Sequence, residues 1–333
     1  MTAITLAEGA GPGRTTVLDG RWRRFALRRA GRLAVSVGVL VTAAFLMIHL
    51  VPGDPVRAAM GLNASPEVVE AARESLGLNK PLPVQYWDYL RGLATGDLGV
   101  SISTRLPVAA TIGDRLGATA SLAALAFACA VVVAVPVGAA VAVATRRGRR
   151  RRLELSFAGT SVVLAAIPDF LIGVLLSWVF AVTLRWLPVG GLGGPASYIL
   201  PVAALAIGPT AILARIIRVE LLTALETDYV RTARAKRLSR ARIVLGHALP
   251  NAVTATLTLS GLLLGSMVAG TVLVESVFAW PGLGSQIVSA IAAKDYPLVQ
   301  GIVLVYGAGI LAINTAVDVA LALLDPRSTI AEA

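Results

Sequence analysis

Six stretches of this chain run long and apolar: 33–51, 116–145, 155–184, 198–214, 251–274 and 296–317. Among them only the third contains an Asp, Glu, Lys or Arg, and that residue is Asp169. A helix needs about 20 mostly apolar residues to cross a hydrocarbon core of roughly 30 Å, and each run is near that length. Lipid gives no partner to a backbone N–H or C=O, so each run must satisfy its own amides as a helix. None alternates as a barrel strand would. The expected fold class is an all-α polytopic membrane protein with six transmembrane helices. Composition agrees: 56% of residues are apolar without counting the 32 glycines, above the roughly 45–50% of soluble chains that includes glycine.

Positive charge sets the expected orientation, because cytoplasmic flanks retain Lys and Arg. Seven arginines precede the first run, six follow the second, and eight basic residues separate the fourth from the fifth. The short connections hold only Arg185 and Lys294. Segment 52–115 carries six basic and seven acidic residues, as expected of a translocated, solvated loop. Both termini are then expected inside. The division is a basic tail 1–31, a first span 32–51, an extracytoplasmic segment 52–115, a transmembrane domain 116–325 and a tail 326–333. That domain holds spans 116–145, 155–184, 198–214, 251–274 and 296–317, with a cytoplasmic loop 215–250. The polar start, 1 to about 20, is expected to be disordered and not a cleaved signal. Arginine outnumbers lysine 27 to three, a bias expected of a GC-rich bacterial genome.

Other chemistries find little support. The net charge of +11 is spread between the apolar runs, so it argues for membrane flanks rather than nucleic acid. Cys129, His49 and His247 make no four-ligand metal set and allow no internal disulfide. The only lysines are Lys80, Lys236 and Lys294, none after a glycine, so the phosphate-cradling GxxxxGK[ST] loop is absent. The cluster Gly190, Gly191, Gly193, Gly194 and Pro195 follows no strand and reads as a tight outer turn.

Loop 215–250 is the informative one. Leu222, Leu225, Tyr229 and Ala233 recur at helical spacing, with Glu226, Arg231, Arg234 and Arg237 elsewhere on the wheel. Ser239 is placed to cap a second helical piece. By charge alone this is a basic linker at an anionic membrane surface. Its ordered string, Asp228, Tyr229, Val230, Arg231, Thr232, Ala233, Arg234, Ala235 and Lys236, then Leu238 and Ser239, then His247 to Ala252 with Pro250, resembles the EAA loop of ATP-binding-cassette (ABC) importer permeases. The version is that of the dipeptide, oligopeptide and nickel family. Further matches are Pro52 to Pro55, Leu76 to Leu78, Gly96 to Gly99, Ile167, Pro168 and Phe170, Glu275 and Phe278, Pro281 to Gly284, Asp295 to Pro297, Asp318, and Leu324 to Arg327.

The resemblance implies a type I ABC importer transmembrane fold with an extra N-terminal span. It also implies a permease, not an enzyme, forming half of a translocation pathway for di- or oligopeptides in the bacterial cytoplasmic membrane. Partners implied are a second permease, two ABC ATPase subunits that hold ATP and magnesium, an extracytoplasmic substrate-binding protein and lipid; no cofactor belongs to this chain. The loop would be a coupling helix in a cleft of the ATPase, with Tyr229, Thr232, Ala233 and Leu238 as its packing face. Arg231, Arg234 and Lys236 would make its charged contacts. The usual motif glycine is Arg237 here, which puts a positive-φ turn at that point in doubt.

Asp169, at mid-run, costs roughly 3 kcal/mol or more if unpaired in lipid, so it should face protein or water. It either binds a substrate amine or is neutral or paired with a backbone donor near Pro168. Glu275 and Asp318 end their runs and read as interfacial; the resemblance gives Glu275, Phe278, Pro281 and Gly282 the look of a packed outer gate. Asp318 calls for a basic partner in the inner loops. Gly261, Gly265, Ser266 and Gly270 suit close helix approach. An ion-coupled transporter is disfavoured by a single mid-depth charge and no internal repeat. A Ser266 protease is disfavoured because His49 lies at the outer end of the first run and His247 in the cytoplasmic loop, neither at the depth of Ser266. The aromatic stretch from Leu82 to Leu90 either packs at the membrane interface or docks a binding protein.

Overall fold

The computed structural model describes residues 14–50, 55–60, 65–75 and 77–324. The motif residues Pro52, Gly53, Asp54, Leu76 and Asp325 to Arg327, the tail 326–333 and the first thirteen residues lie outside it. Helix α1 (Arg14–Leu50) leads into α2 (Pro55–Met60), α3 (Pro66–Ser75), α4 (Leu82–Thr95) and the long α5 (Val108–Thr145). There follow α6 (Arg151–Ala166), α7 (Asp169–Leu176, continued as a wider helical turn to Thr183) and α8 (Ile199–Ala224). Short α9 (Asp228–Ala235) and α10 (Arg240–Ile243) precede α11 (Leu249–Val277), α12 (Leu283–Ala292) and α13 (Tyr296–Leu324).

Among the described residues five helices are long and apolar enough to cross a membrane: Leu27–Leu50, Val108–Gly148, Pro195–Ala224, Leu259–Val277 and Tyr296–Leu321. The pair Arg151–Ala166 and Asp169–Thr183 is bent by 95°, and makes six if counted as one span. The expected span over 155–184 is therefore two helices, parted at Pro168. Pro168 has no N–H to continue the ladder and its ring drives Ile167 to φ −77, ψ 124, an extended conformation. Three further boundaries move. Helix α8 continues past 214 to Ala224, because Arg218 is held by Glu154 at 2.6 Å and by Thr145 Oγ1 at 3.3 Å. Segment 52–115, expected as a loop, is largely helix in its described residues. Residues 14–20, expected to be disordered, extend α1; adding turns to an existing helix costs far less than nucleating one.

Small side chains let the central helices meet. Ala126, Ala130 and Ala134 of α5 share the main core with Ala204, Leu205, Leu213 and Ala214 of α8. At Gly138 an added Cβ would lie 2.5 Å from the Ala214 carbonyl oxygen, so α5 approaches α8 backbone to side-chain-free backbone. Gly261 does the same for α11 against Val317 of α13, at 2.6 Å. Helix α1 lies along α13, where Gly307 admits Leu40 and Arg29 forms an ion pair with Asp318. Arg29 is the basic partner Asp318 called for, and it comes from the first span rather than an inner loop.

At the end opposite α9, α4 packs on α1. Tyr86 meets Phe45 edge-on at 5.0 Å between ring centroids and its hydroxyl is 2.9 Å from Thr42 Oγ1. His49 Nε2 lies 3.1 Å from Gln85 Oε1. The rings of the 82–90 stretch therefore pack onto the first span, except Trp87, which is exposed.

Candidate functional site

Helix α9 begins where α8 ends. Leu225, Val230 and Ala233 are buried in a cluster with Leu221 and Ala224 of α8, Ala139 and Ala142 of α5, Ile243 of α10, and Ala248 and Ala252 near the start of α11. Leu238 packs against the same cluster. This apolar footing seats a helix of only two turns, too short to persist alone in water. Of the four residues expected on the packing face, Ala233 and Leu238 turn inward, whereas Tyr229 and Thr232 face out. Val230 takes the inward place, because a buried position between Leu225 and Ala233 falls three residues before Ala233.

Arg231, Thr232 and Lys236 share the exposed face with Tyr229. Arg231 reaches Asp228 at 3.0 Å, but both side chains are largely exposed and such a pair contributes little. The Tyr229 hydroxyl accepts from Asn251 Nδ2 at 2.9 Å, tying α9 to the first turn of α11, where Pro250 sits without needing a donor. Arg234 is different from its neighbours. It is half-buried and donates from Nη2 to the Leu225 carbonyl at 2.7 Å, so it staples the loop internally.

Arg237 adopts φ 58. The positive-φ turn placed in doubt by the missing glycine is present: Arg237 N donates to Arg234 O at 2.9 Å and Leu238 N to Ala233 O at 3.3 Å. Those two bonds are the pattern that closes a helix through a left-handed residue. Ser239 then caps α10, its Oγ accepting from Arg242 N at 3.3 Å. His247 sits on the Arg242 carbonyl, 3.1 Å from Nδ1.

The second constellation lies at the far end of α11. Glu275, expected at an interface with solvent, is fully buried. It accepts from Thr119 Oγ1 and Gly284 N, each at 2.7 Å, and from Ser285 N at 3.1 Å. Thr119 Oγ1 in turn accepts from Leu283 N at 2.8 Å. One carboxylate thus joins α5, α11 and α12, and its donors explain how a buried acid is tolerated. The turn between α11 and α12 is closed around it. Phe278 and Trp280 are buried, Ala279 has φ 47, and Trp280 Nε1 donates to Ala118 O at 3.1 Å. Pro281 is exposed, and Gly282 packs directly on the carboxylate. The glycine cluster docks here too: Gly191 N donates to Phe278 O at 2.8 Å, and a Cβ on Gly190 would lie 2.3 Å from that oxygen.

Asp169 opens α7, half-buried, with Gly208 of α8 and Gly270 of α11 on either side. It does not join Glu275. The two face different sides of α11, since Gly270 and Glu275 are five residues apart and roughly 140° around the helix. Ser266 Oγ donates to Leu263 O at 2.8 Å, and neither histidine contact described above involves it.

Asp295, to which no role was given, forms a third buried cluster. It accepts from Ser101 Oγ, from Ser103 Oγ at 2.6 Å, and from the amides of Ile102 at 3.1 Å and Ser103 at 3.2 Å. Burial alone would push this carboxyl up, but the donors outweigh it and hold it below the ordinary value. Sequence distance hid the contact: the serines precede α5 and Asp295 precedes α13.

Residues 134–330 match the family model described as binding-protein-dependent transport system inner membrane component. Residues 22–123 match the N-terminal model of the same kind of component. The glutathione transport system permease protein GsiC of Pectobacterium atrosepticum is 37% identical over 301 residues, covering 90% of this chain and 97% of that protein. That of Escherichia coli strain K12 is 36% identical over 302 residues, covering 91% and 97%. That of Salmonella typhimurium is 37% identical over the same length, with the same coverage.

Proposed function

We propose that this chain, which belongs to the family of binding-protein-dependent inner membrane transport components, the permease subunits of ABC importers, carries peptides across the bacterial cytoplasmic membrane. As a permease component it is a multi-pass helical protein with a transport role. In our reading it forms half of a pathway completed by a second, similar permease. Two separate ATPase subunits supply the energy and an extracytoplasmic binding protein delivers the cargo. The relatives named above are glutathione permeases, and glutathione is itself a small peptide, which supports a peptide-sized substrate.

The observation that carries the coupling role is α9. It is anchored from below by Leu225, Val230 and Ala233, capped rigidly through Arg237, and presents Tyr229, Arg231, Thr232 and Lys236 outward. A short helix seated on α5, α8 and α11 passes a displacement to three spans at once, as a packed element should. The arginine-rich ends of α5 and α6 lie on the same side of the sequence pattern, which supports a cytoplasmic α9 and cytoplasmic termini.

The test is purification of the chain with its associated subunits, comparing wild type with Arg231→Glu/Lys236→Glu. Loss of the ATPase subunits and of ATP hydrolysis in lipid is expected. Retention of both in the double variant would refute α9 as the docking element. Arg234 is left out because its replacement would loosen the loop itself.

A further inference from the structure

The carboxylates at or near membrane depth are not alike. Glu275 and Asp295 are each surrounded by donors, and Asp318 is paired with Arg29. Asp169 has no hydrogen bond or ion pair among the described residues, although a free carboxylate at this depth is costly. Its two oxygens lie against glycines that carry no side chain to fill the site. A Cβ on Gly270 would come within 3.1 Å of Asp169 Oδ2, and one on Gly208 within 3.4 Å of Oδ1. The same notch at Gly208 is reached by a main-chain acceptor, the Leu164 carbonyl, 3.8 Å from that position. In a continuous helix that carbonyl would accept from the N–H of residue 168, four positions on. Proline has none, so the break that turns α7 by 95° also leaves Leu164 O without its helical partner. The notch borders an exposed strip of α11: Ala269 beside Gly270, and Ser266 one turn before.

Two acceptors, one anionic and one deprived of its helical donor, match a group that brings several N–H donors and one positive charge. We propose that Asp169 and the Leu164 carbonyl form a subsite for a primary ammonium, the charged amino end of a peptide, on the surface this chain gives to the translocation pathway. The inference rests on the peptide-importer reading. Asp169 is then a specificity-determining residue. It selects amines at the step after release from the binding protein, and the glycines at 208 and 270 keep the notch wide enough for the group to enter.

The experiment uses the complete complex in proteoliposomes with its binding protein, and radiolabelled Ala-Ala as the probe. Asp169→Asn should lower ATP-driven uptake about tenfold while the subunits still co-purify, and Asp169→Glu should restore at least about a third of it. Unchanged uptake in Asp169→Asn overturns the proposal. So does an equal defect in Asp169→Glu, which would mark a packing role. A second measurement leaves Asp169 in place: in a Cys129→Ser/Ala269→Cys protein, a cationic methanethiosulfonate reagent should modify Cys at least about fivefold faster than an anionic one, after normalising to a free thiol. Ala-Ala should slow it. Equal rates, or no protection, refute the subsite even where Asp169→Asn fails to assemble. If the wild-type complex takes up no Ala-Ala while the cationic preference and protection are present, the importer's cargo is misjudged and the ammonium site stands. If both are missing, both readings fall.

Discussion

Replacing Gly282 with alanine should cost far more than its backbone suggests. Gly282 has φ −104, ψ −175, an extended conformation open to any residue, so no conformational strain is involved. The cost comes from Glu275. The new Cβ would lie 2.3 Å from Oε2, 2.5 Å from Cδ and 2.6 Å from Oε1, distances at which the carboxylate must move. Moving it breaks the bonds from Thr119, Gly284 and Ser285. At about 0.6–1.7 kcal/mol per hydrogen bond inside a membrane bundle, three such losses amount to about 2–5 kcal/mol. The assay is the unfolding midpoint in mixed detergent and dodecyl sulfate micelles, with the emission of buried Trp280 as a local reporter. Gly265→Ala is the control. Its Cβ would meet Ile310 at 3.5 Å, an ordinary contact, so stability should stay level or rise by up to about 1 kcal/mol from helix propensity. The cycle with Glu275→Ala is decisive: once the carboxylate is gone, Gly282→Ala should cost under about 1 kcal/mol. An equal penalty in both backgrounds would refute the argument.

Arg237→Gly should stabilise the α9 loop by about 1 kcal/mol, because a side chain is relieved of the left-handed region, less the added freedom of glycine when unfolded. Slower proteolysis within 225–250 is the readout; faster cleavage would contradict it. Asp295 has a folded pKa below its unfolded value, so its contribution to stability is complete above about pH 4 and declines as pH falls through the lower folded value. Melting midpoints should therefore be insensitive to this group between pH 8 and about 5. Ser101→Ala/Ser103→Ala removes donors and raises the folded value toward or past the unfolded one, so the double variant should be less stable at neutral pH and lose less of its stability on acidification; an undiminished acid loss would refute the cluster's role. Reversing the pair, Arg29→Asp/Asp318→Arg, should recover most of the stability lost by Arg29→Asp alone, and a double variant no better than the single would rule out the contact as the tie between α1 and α13.

The number and nature of the spans were readable because a hydrocarbon core demands long apolar helices and nothing else. The broken third span was only half visible. Pro168 marks a kink in any sequence, but the 95° bend depends on how α7 packs between α8 and α11. Ser239 as a cap is local chemistry and was found at its own position. The inward place of Val230, by contrast, depends on the direction in which α8 delivers the chain. Glu275 and Asp295 show the same limit more sharply. Their partners are Thr119, Ser101 and Ser103, more than 150 positions away in sequence, a separation no periodicity spans. Arg237 teaches the converse: a residue with no liking for positive φ takes it when the burial of Ala233 on one side and Leu238 on the other leaves no other path.

The central claim is that this chain conducts substrate but draws its energy from separate ATPase subunits. Reconstitution into proteoliposomes tests it directly, with uptake of radiolabelled Ala-Ala measured with and without the co-purified subunits and binding protein. The account predicts uptake that requires ATP and every subunit and persists when ionophores collapse all ion gradients. Uptake by the chain alone, driven by an ion gradient and abolished by ionophore, would contradict it.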